Sequence, residues 1–177
     1  MPLLKNGSIV SDDWITLGTD DPLPESGDVV IPYARLLKEW ESLTDHDGRL
    51  GVVFTNIDRI EALTLFLPRL ALIILPFPSF TDGRAYSLAR QIREVGYSRE
   101  LRAAGNVLPD QVQFMLQVGF DTFEIGDRFT ADVWLKASHQ MSLAYQRGLF
   151  RPPGHQEVWS ERHREAEPWL EQPCRVM

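Results

Sequence analysis

Three clusters in the 177-residue chain carry side chains suited to binding or proton transfer. The first is Pro78-Ser79-Phe80-Thr81-Asp82-Gly83-Arg84. Gly83 lets a backbone approach a ligand closely, and Arg84 offers a forked guanidinium for an oxyanion. A helix starting here adds its free amides to the same anion site. A plainer reading competes: Thr81 or Asp82 caps that helix, Gly83 turns the chain, and Arg84 is solvated. The second cluster is Gly105-Asn106-Val107-Leu108-Pro109-Asp110-Gln111, with Asn106, Asp110 and Gln111 as its polar groups. The third is a pair of charges, Arg102 and Glu124, each inside a short apolar run. Strands of a parallel sheet are usually buried on both faces, so each charge needs a partner. If the two runs are neighbours, Arg102 and Glu124 can pair. That pair is either a structural ion pair or an anion-binding arginine oriented by a glutamate. Asp82, Asp110 and Glu124 are the carboxylates placed for acid/base work.

The clusters fall at the ends of apolar runs that alternate with helical periodicity. Runs at 29–31, 51–54, 70–75, 101–104 and 122–125 read as strands. Residues 33–43 read as a helix with Leu36, Leu37 and Trp40 at helical spacing, and a second helix carries Ile60, Leu63 and Leu67. Residues 84–95 place Ala85, Leu88, Ala89 and Ile92 on one stripe. A helix over 109–118 begins with Pro109 and stops at Gly119. The last helix, 131–147, turns Val133, Trp134, Ala137, Met141 and Tyr145 inward.

Repeated βα units imply right-handed crossovers and a parallel sheet of about five strands. Two architectures fit: an open doubly wound sheet, or a partial, curved relative of the eight-stranded barrel. A β-hairpin over residues 3–17, turning at Asn6-Gly7, precedes them, and a loop over 18–27 follows it. In both architectures ligands bind outside the carboxyl ends of the strands. The loops holding Asp82, Asn106 and Glu124 should therefore share one rim. Residues 1–147 read as a single α/β domain. Arg151-Pro152-Pro153-Gly154 ends the last helix, and residues 148–177 read as a polar tail.

The formal net charge is −7, from 25 acidic and 18 basic residues. That speaks against nucleic acid and anionic lipid as partners. The longest apolar run, 70–77, contains Pro76 and is far too short to span a membrane. Cys174 is the one cysteine, and the first 20 residues lack an apolar leader segment, so a cytoplasmic protein is expected. No metal site is expected: His155 and His163 lie in the tail without completing a ligand set. His46 reads as a solvated loop residue and His139 as a structural residue in mid-helix. Gly-x-Gly-x-x-Gly, Walker, Gly-x-Ser-x-Gly and Cys-x-x-Cys motifs are all missing.

Phe80-Thr81-Asp82-Gly83-Arg84-Ala85-Tyr86-Ser87, Glu100-Leu101-Arg102-Ala103, the Gly105-to-Gln111 cluster and Gly119-Phe120-Asp121 together resemble the bacterial family DUF934. The amino end, with Lys5-Asn6-Gly7 and Asp12-Asp13-Trp14, resembles it too, so the likeness covers about residues 1–146. The resemblance implies a bacterial protein without an assigned activity, encoded beside sulfite or nitrite reductase and phosphoadenylylsulfate reductase. The chain departs from the pattern at Asn106, where an acid is usual, at Pro109, where a base is usual, and at Ala85, where glycine is usual. An amide at position 106 argues against acid/base work by that loop.

The expected function is an accessory or binding protein of assimilatory sulfate or sulfite reduction. It would use a rim of Thr81, Asp82, Gly83, Arg84, Arg102, Asn106 and Gln111 to hold a small oxyanion or a partner. Sulfite reductase and phosphoadenylylsulfate reductase are the expected partners. The alternative is an enzyme acting on a phosphorylated or sulfated metabolite, with Asp82, Asp110 or Glu124 as acid/base. No cofactor is expected, since Cys174 alone cannot hold an iron–sulfur cluster or siroheme iron. A flavin held by helix amides stays open.

Overall fold

Apolar alternation produces the strands, and the computed structural model describes residues 2–55, 57–139, 143–144 and 156–157. The elements are β1 (Leu3–Lys5), β2 (Ser8–Val10), β3 (Ile15–Thr16), β4 (Val29–Pro32), α1 (Tyr33–Thr44), β5 (Leu50–Val53) and α2 (Ile60–Leu63). They continue with β6 (Leu70–Phe77), α3 (Arg84–Glu94), β7 (Glu100–Gly105), a 3-10 turn (Pro109–Gln111), α4 (Val112–Val118), β8 (Thr122–Glu124) and α5 (Ala131–His139). A separate parallel pair, β9 (Leu143–Ala144) and β10 (Gln156–Glu157), follows. The expected tail, with His155, His163 and Cys174, otherwise lies outside the described residues, as do Met141 and Tyr145. Among the described residues no helix is long and apolar enough to cross a membrane.

The main sheet has eight strands in the order β2-β1-β8-β7-β6-β5-β4-β3. From β3 to β8 the strands are parallel and sequential. This decides between the two architectures. Sequential right-handed crossovers all step the same way, so every helix lands on one face. A doubly wound sheet reverses direction and is excluded. The sheet also exceeds the expected five strands. The Asn6-Gly7 turn has φ of 50° and 70° and closes a hairpin, but only over residues 3–10. Its strand β1 pairs antiparallel with β8, so the hairpin belongs to the sheet. Ile15 and Thr16 leave it and pair with β4 at the opposite edge.

That separation forces the sheet to curl. Across a flat sheet, the spacings between the two edge strands would total about 34 Å. The chain from Val10 to Ile15 reaches at most about 18 Å. The connecting residues 11–14 lie on the face without helices, so that face is concave.

The helix-covered face holds the main core. Val29, Ile31, Val52, Ile73, Leu75 and Leu101 point there, against Leu36, Leu88, Ala89, Ile92, Met115 and Trp134 from the helices. The 84–95 stripe is buried throughout. The stripes at 33–43 and 131–147 are rotated from expectation: Leu37 is 51% exposed and Val133 41% exposed, while Leu36 and Trp134 are fully buried. The second expected helix is only α2, and turns over 64–69 replace the rest, consistent with Pro68 disfavouring helix in the residue before it.

The concave face has a much smaller apolar cluster: Val30, Leu72, Ile74 and Ala104, covered by Trp14 and Val53. A register shift between Leu50 and Gly51 lets Leu70 face the helices and Leu72 the concave side. Gly51 is the seat of Trp14. A Cβ there would stand 3.0 Å from Val30 Cγ2, 3.2 Å from Leu72 Cβ and 3.3 Å from the Trp14 ring. Gly51→Ala should therefore lower stability by about 1–3 kcal/mol in urea denaturation, by lifting Trp14 off the sheet. An unchanged midpoint would mean that Trp14 is not seated on Gly51.

Candidate functional site

At the carboxyl ends of the strands, the two loops after β6 and β7 are tied together. Asn106 Nδ2 donates to the Pro78 carbonyl at 2.7 Å, and Gln111 Nε2 to the Phe80 carbonyl at 3.0 Å. The Gln111 side-chain oxygen accepts the Leu108 N–H at 3.1 Å. Arg84 is 64% exposed and folds back on Asp82 at 2.7 Å. Asp82 also accepts the Arg84 N–H at 3.1 Å, which serves an early amide of α3. The Thr81 hydroxyl meets that of Ser79 at 2.9 Å, and Gly83 has open space where a Cβ would stand. Asp110 is exposed near Tyr86, whose phenol is pushed up by burial and by the Asp110 charge. At the end of β4, the buried Tyr33 hydroxyl has no partner among the described residues, and burial raises its pKa.

Arg102 and Glu124 lie elsewhere than the loop tips. Both belong to the concave face. The pairing Arg102↔Thr122 aligns Arg102 with β8, and Lys5↔Thr122 continues the row into β1. Glu124, two residues beyond Thr122, faces the same side nearer the rim. β7 and β8 are neighbours, yet Arg102 and Glu124 do not form the expected pair. Arg102 bonds Asp12 at 2.9 Å and Glu100 at 3.0 Å. Glu100 bonds Lys5 at 2.6 Å in turn. Arg102 is 2% exposed at its side chain, and its Nε–H, like the Thr122 hydroxyl, has no partner among the described residues. Arg49 stacks on the Trp14 ring at 5.0 Å and pairs with Asp28.

The electrostatics split the two glutamates. Burial pushes Glu100 up, but hydrogen bonds from Lys5 and Arg102 outweigh it and hold its carboxyl below the usual range. Glu124 goes the other way. Burial raises it, and the Arg102 charge and the Gly105 N–H only partly offset this. Glu124 thus takes up a proton more readily than a solvated glutamate and suits proton transfer or hydrogen-bond donation. Among the described residues, no group of three or more histidine, cysteine, aspartate or glutamate side chains is placed to hold a metal.

Lys5, Asp12, Trp14, Arg49 and Glu100 were not among the expected site residues. Glu100 was legible, since it shares a strand face with Arg102 two positions on. Asp12, 90 residues from Arg102 along the chain, left no local signal. Arg93 was missed too. It is buried and donates to the carbonyls of Tyr97, Arg99 and Gly119, and to Asp121 at 2.5 Å. Asp121 also accepts the Leu101 N–H at 2.9 Å, so the Gly119-Phe120-Asp121 motif anchors the start of β7. His46 is buried rather than solvated, with Nε2 on the Gly27 carbonyl at 2.8 Å. His139 is the last described residue of α5, and its ring abuts Gly7.

Fold and site together define a singly wound α/β protein with an ion cluster inside its curled sheet. The chain belongs to DUF934, a bacterial family of unknown function, whose model matches residues 51–154. Lys5 and Asp12 precede the matched segment. No curated protein matches the chain.

The two glutamates give opposite pH slopes from the common unfolded value of 4.5. The Glu100 contribution is present above that value and is lost as pH falls through its lower folded pKa. The Glu124 contribution is present below 4.5 and is lost as pH rises through its raised folded pKa. Glu124→Gln should therefore gain stability relative to wild type between acid and neutral pH, read from urea midpoints in a pH series. A constant difference across the series would contradict the burial of Glu124.

Proposed function

We propose that this protein is a cytoplasmic accessory or binding protein of assimilatory sulfate or sulfite reduction. The rim at the strand ends serves as its partner surface. One observation carries the reading. Phe80 is 49% exposed at the rim, and its own carbonyl is held by Gln111. An exposed aromatic ring on a braced loop is the kind of anchor on which protein interfaces concentrate their energy. Asn106 and Gln111 act as scaffold around it by bonding across to the loop that carries it, and the Asp82–Arg84 pair closes on itself within that loop. Beside the rim an apolar groove of about 590 Å³, lined by Leu108, Pro109, Phe129 and Val133, extends the surface. The choice of reductase as partner rests on the resemblance described above.

The raised pKa of Glu124 favours a second reading: an enzyme acting on a small sulfated or phosphorylated metabolite, with Glu124 as acid/base. Asp82, tied to Arg84, and Asp110, out in solvent, are less suited to that role.

The test is affinity capture of the tagged chain from its host grown on sulfate as sole sulfur source. Sulfite reductase or phosphoadenylylsulfate reductase should co-purify, and Phe80→Ala should weaken capture at least about tenfold. Failure to retain either reductase would defeat the accessory reading. Loss of growth on sulfate in Glu124→Gln, with the fold and partner capture intact, would favour the enzyme.

A further inference from the structure

The apolar groove beside the rim runs between the 3-10 turn and α5. Its two walls are tied to each other from within. Gln113, on α4, donates through Nε2 to the carbonyls of Ala137 at 3.1 Å and Ser138 at 2.6 Å. The turn that enters α4 and the end of α5 therefore hold one spacing, and an occupant meets a preformed surface that it does not have to order. At about 590 Å³ the groove lies within the roughly 300–1,000 Å³ of clefts that bury what they bind.

Two charges stand on opposite walls, Asp110 on the 3-10 turn and Lys136 on α5. Both are exposed, and neither forms a hydrogen bond or ion pair among the described residues. Asp132 stands one turn before Lys136 on α5, yet the two do not pair. Other charges nearby are engaged: Arg84 with Asp82, Arg90 with Glu94, and Arg128 over the Phe129 ring. Unpaired charges of opposite sign across an apolar floor suit an occupant with an apolar middle and a charge at each end. The groove also continues the Phe80 surface. Asp110 and Gln111 are neighbours on one turn, and Gln111 holds the Phe80 carbonyl at 3.0 Å. Phe114, one turn beyond Asp110, is 55% exposed and packs on Tyr86 at 5.0 Å. A polypeptide spans the groove and these rings together; a small molecule filling the groove alone does not.

We propose that the groove takes an amphipathic segment of a partner protein, with an apolar side chain between the walls, a basic side chain on Asp110 and an acidic one on Lys136. The two charges fix the direction in which the segment lies, because the reversed placement brings like charges together. The inference rests on the reading of the rim as a partner surface and names the chemistry of what docks there. It does not depend on which protein carries the segment.

The test uses the full chain and a displayed library of random linear peptides as the probe. Enriched peptides are synthesised and titrated by fluorescence anisotropy. They should carry an apolar residue flanked by a basic and an acidic one. Asp110→Lys and Lys136→Glu should each weaken binding at least about tenfold, since like charges juxtaposed in an interface cost more than that. Asp110→Lys also removes an acid from a first helical turn, so the fold of each variant is first confirmed by its urea midpoint. Replacing the peptide's basic residue by glutamate should restore binding to Asp110→Lys and weaken binding to wild type. Val133→Asp, at a position 41% exposed, should weaken binding with the fold kept. Because the probe is a peptide, loss of reductase capture and loss of peptide binding are separate results. No enriched peptide, binding unaltered in both charge variants, or binding unaltered in Val133→Asp would each overturn the proposal.

Discussion

The curled sheet encloses a guanidinium, and most of the concave face follows from that. A buried charge is strongly unfavourable unless partners surround it. Arg102 obtains them from two directions. Glu100 comes from its own strand, and Asp12 from the connection between the two sheet edges. Because Asp12 must reach Arg102 at β7 and Trp14 must reach Gly51 at β5, residues 11–14 cross the inside of the sheet. That path permits β2 and β3 to be opposite edges while lying close along the chain.

The two faces divide the work. The helix-covered side supplies the hydrophobic stabilisation, at about 1.5–3 kcal/mol for each large buried side chain. The concave side has few such residues, so its organisation depends on polar contacts, with the Glu100 carboxyl held low and the Glu124 carboxyl pushed up. At the carboxyl ends the same economy of parts holds: Asn106 and Gln111 brace the loops that display Phe80. The edge strands β2 and β3 are short, three and two residues, which limits pairing with other chains.

Much of this was legible in the residues. The five βα units, the stripe Ala85-Leu88-Ala89-Ile92, the Asn6-Gly7 turn and the stop at Gly119 all follow from local periodicity and turn chemistry. Strand order is a non-local property, so the choice between doubly and singly wound sheets had no signature in any one segment. The same holds for the site. A lone arginine in an apolar strand announces that it has a partner, and period-two spacing points to Glu100. Nothing near Arg102 points to Asp12, because that contact exists only once the sheet has curled. His46 misled for a related reason: its polar neighbours suggest solvent, whereas its ring is covered by the loop ending at Gly27. The 81–84 cluster shows the limit of motif reading. Its residues suit an anion site, yet Asp82 satisfies Arg84 internally.

The central claim is that the Asp12–Arg102 contact fastens residues 11–14 across the concave face. The most direct measurement is a double-mutant cycle with Asp12→Ala and Arg102→Met, read by urea denaturation near neutral pH. The account predicts a coupling of about 1–3 kcal/mol between the two positions, in the range for contacting residues of one polar network. Effects that add to within about 0.5 kcal/mol would contradict it, and would place Asp12 outside the interactions that hold the sheet in its curled form.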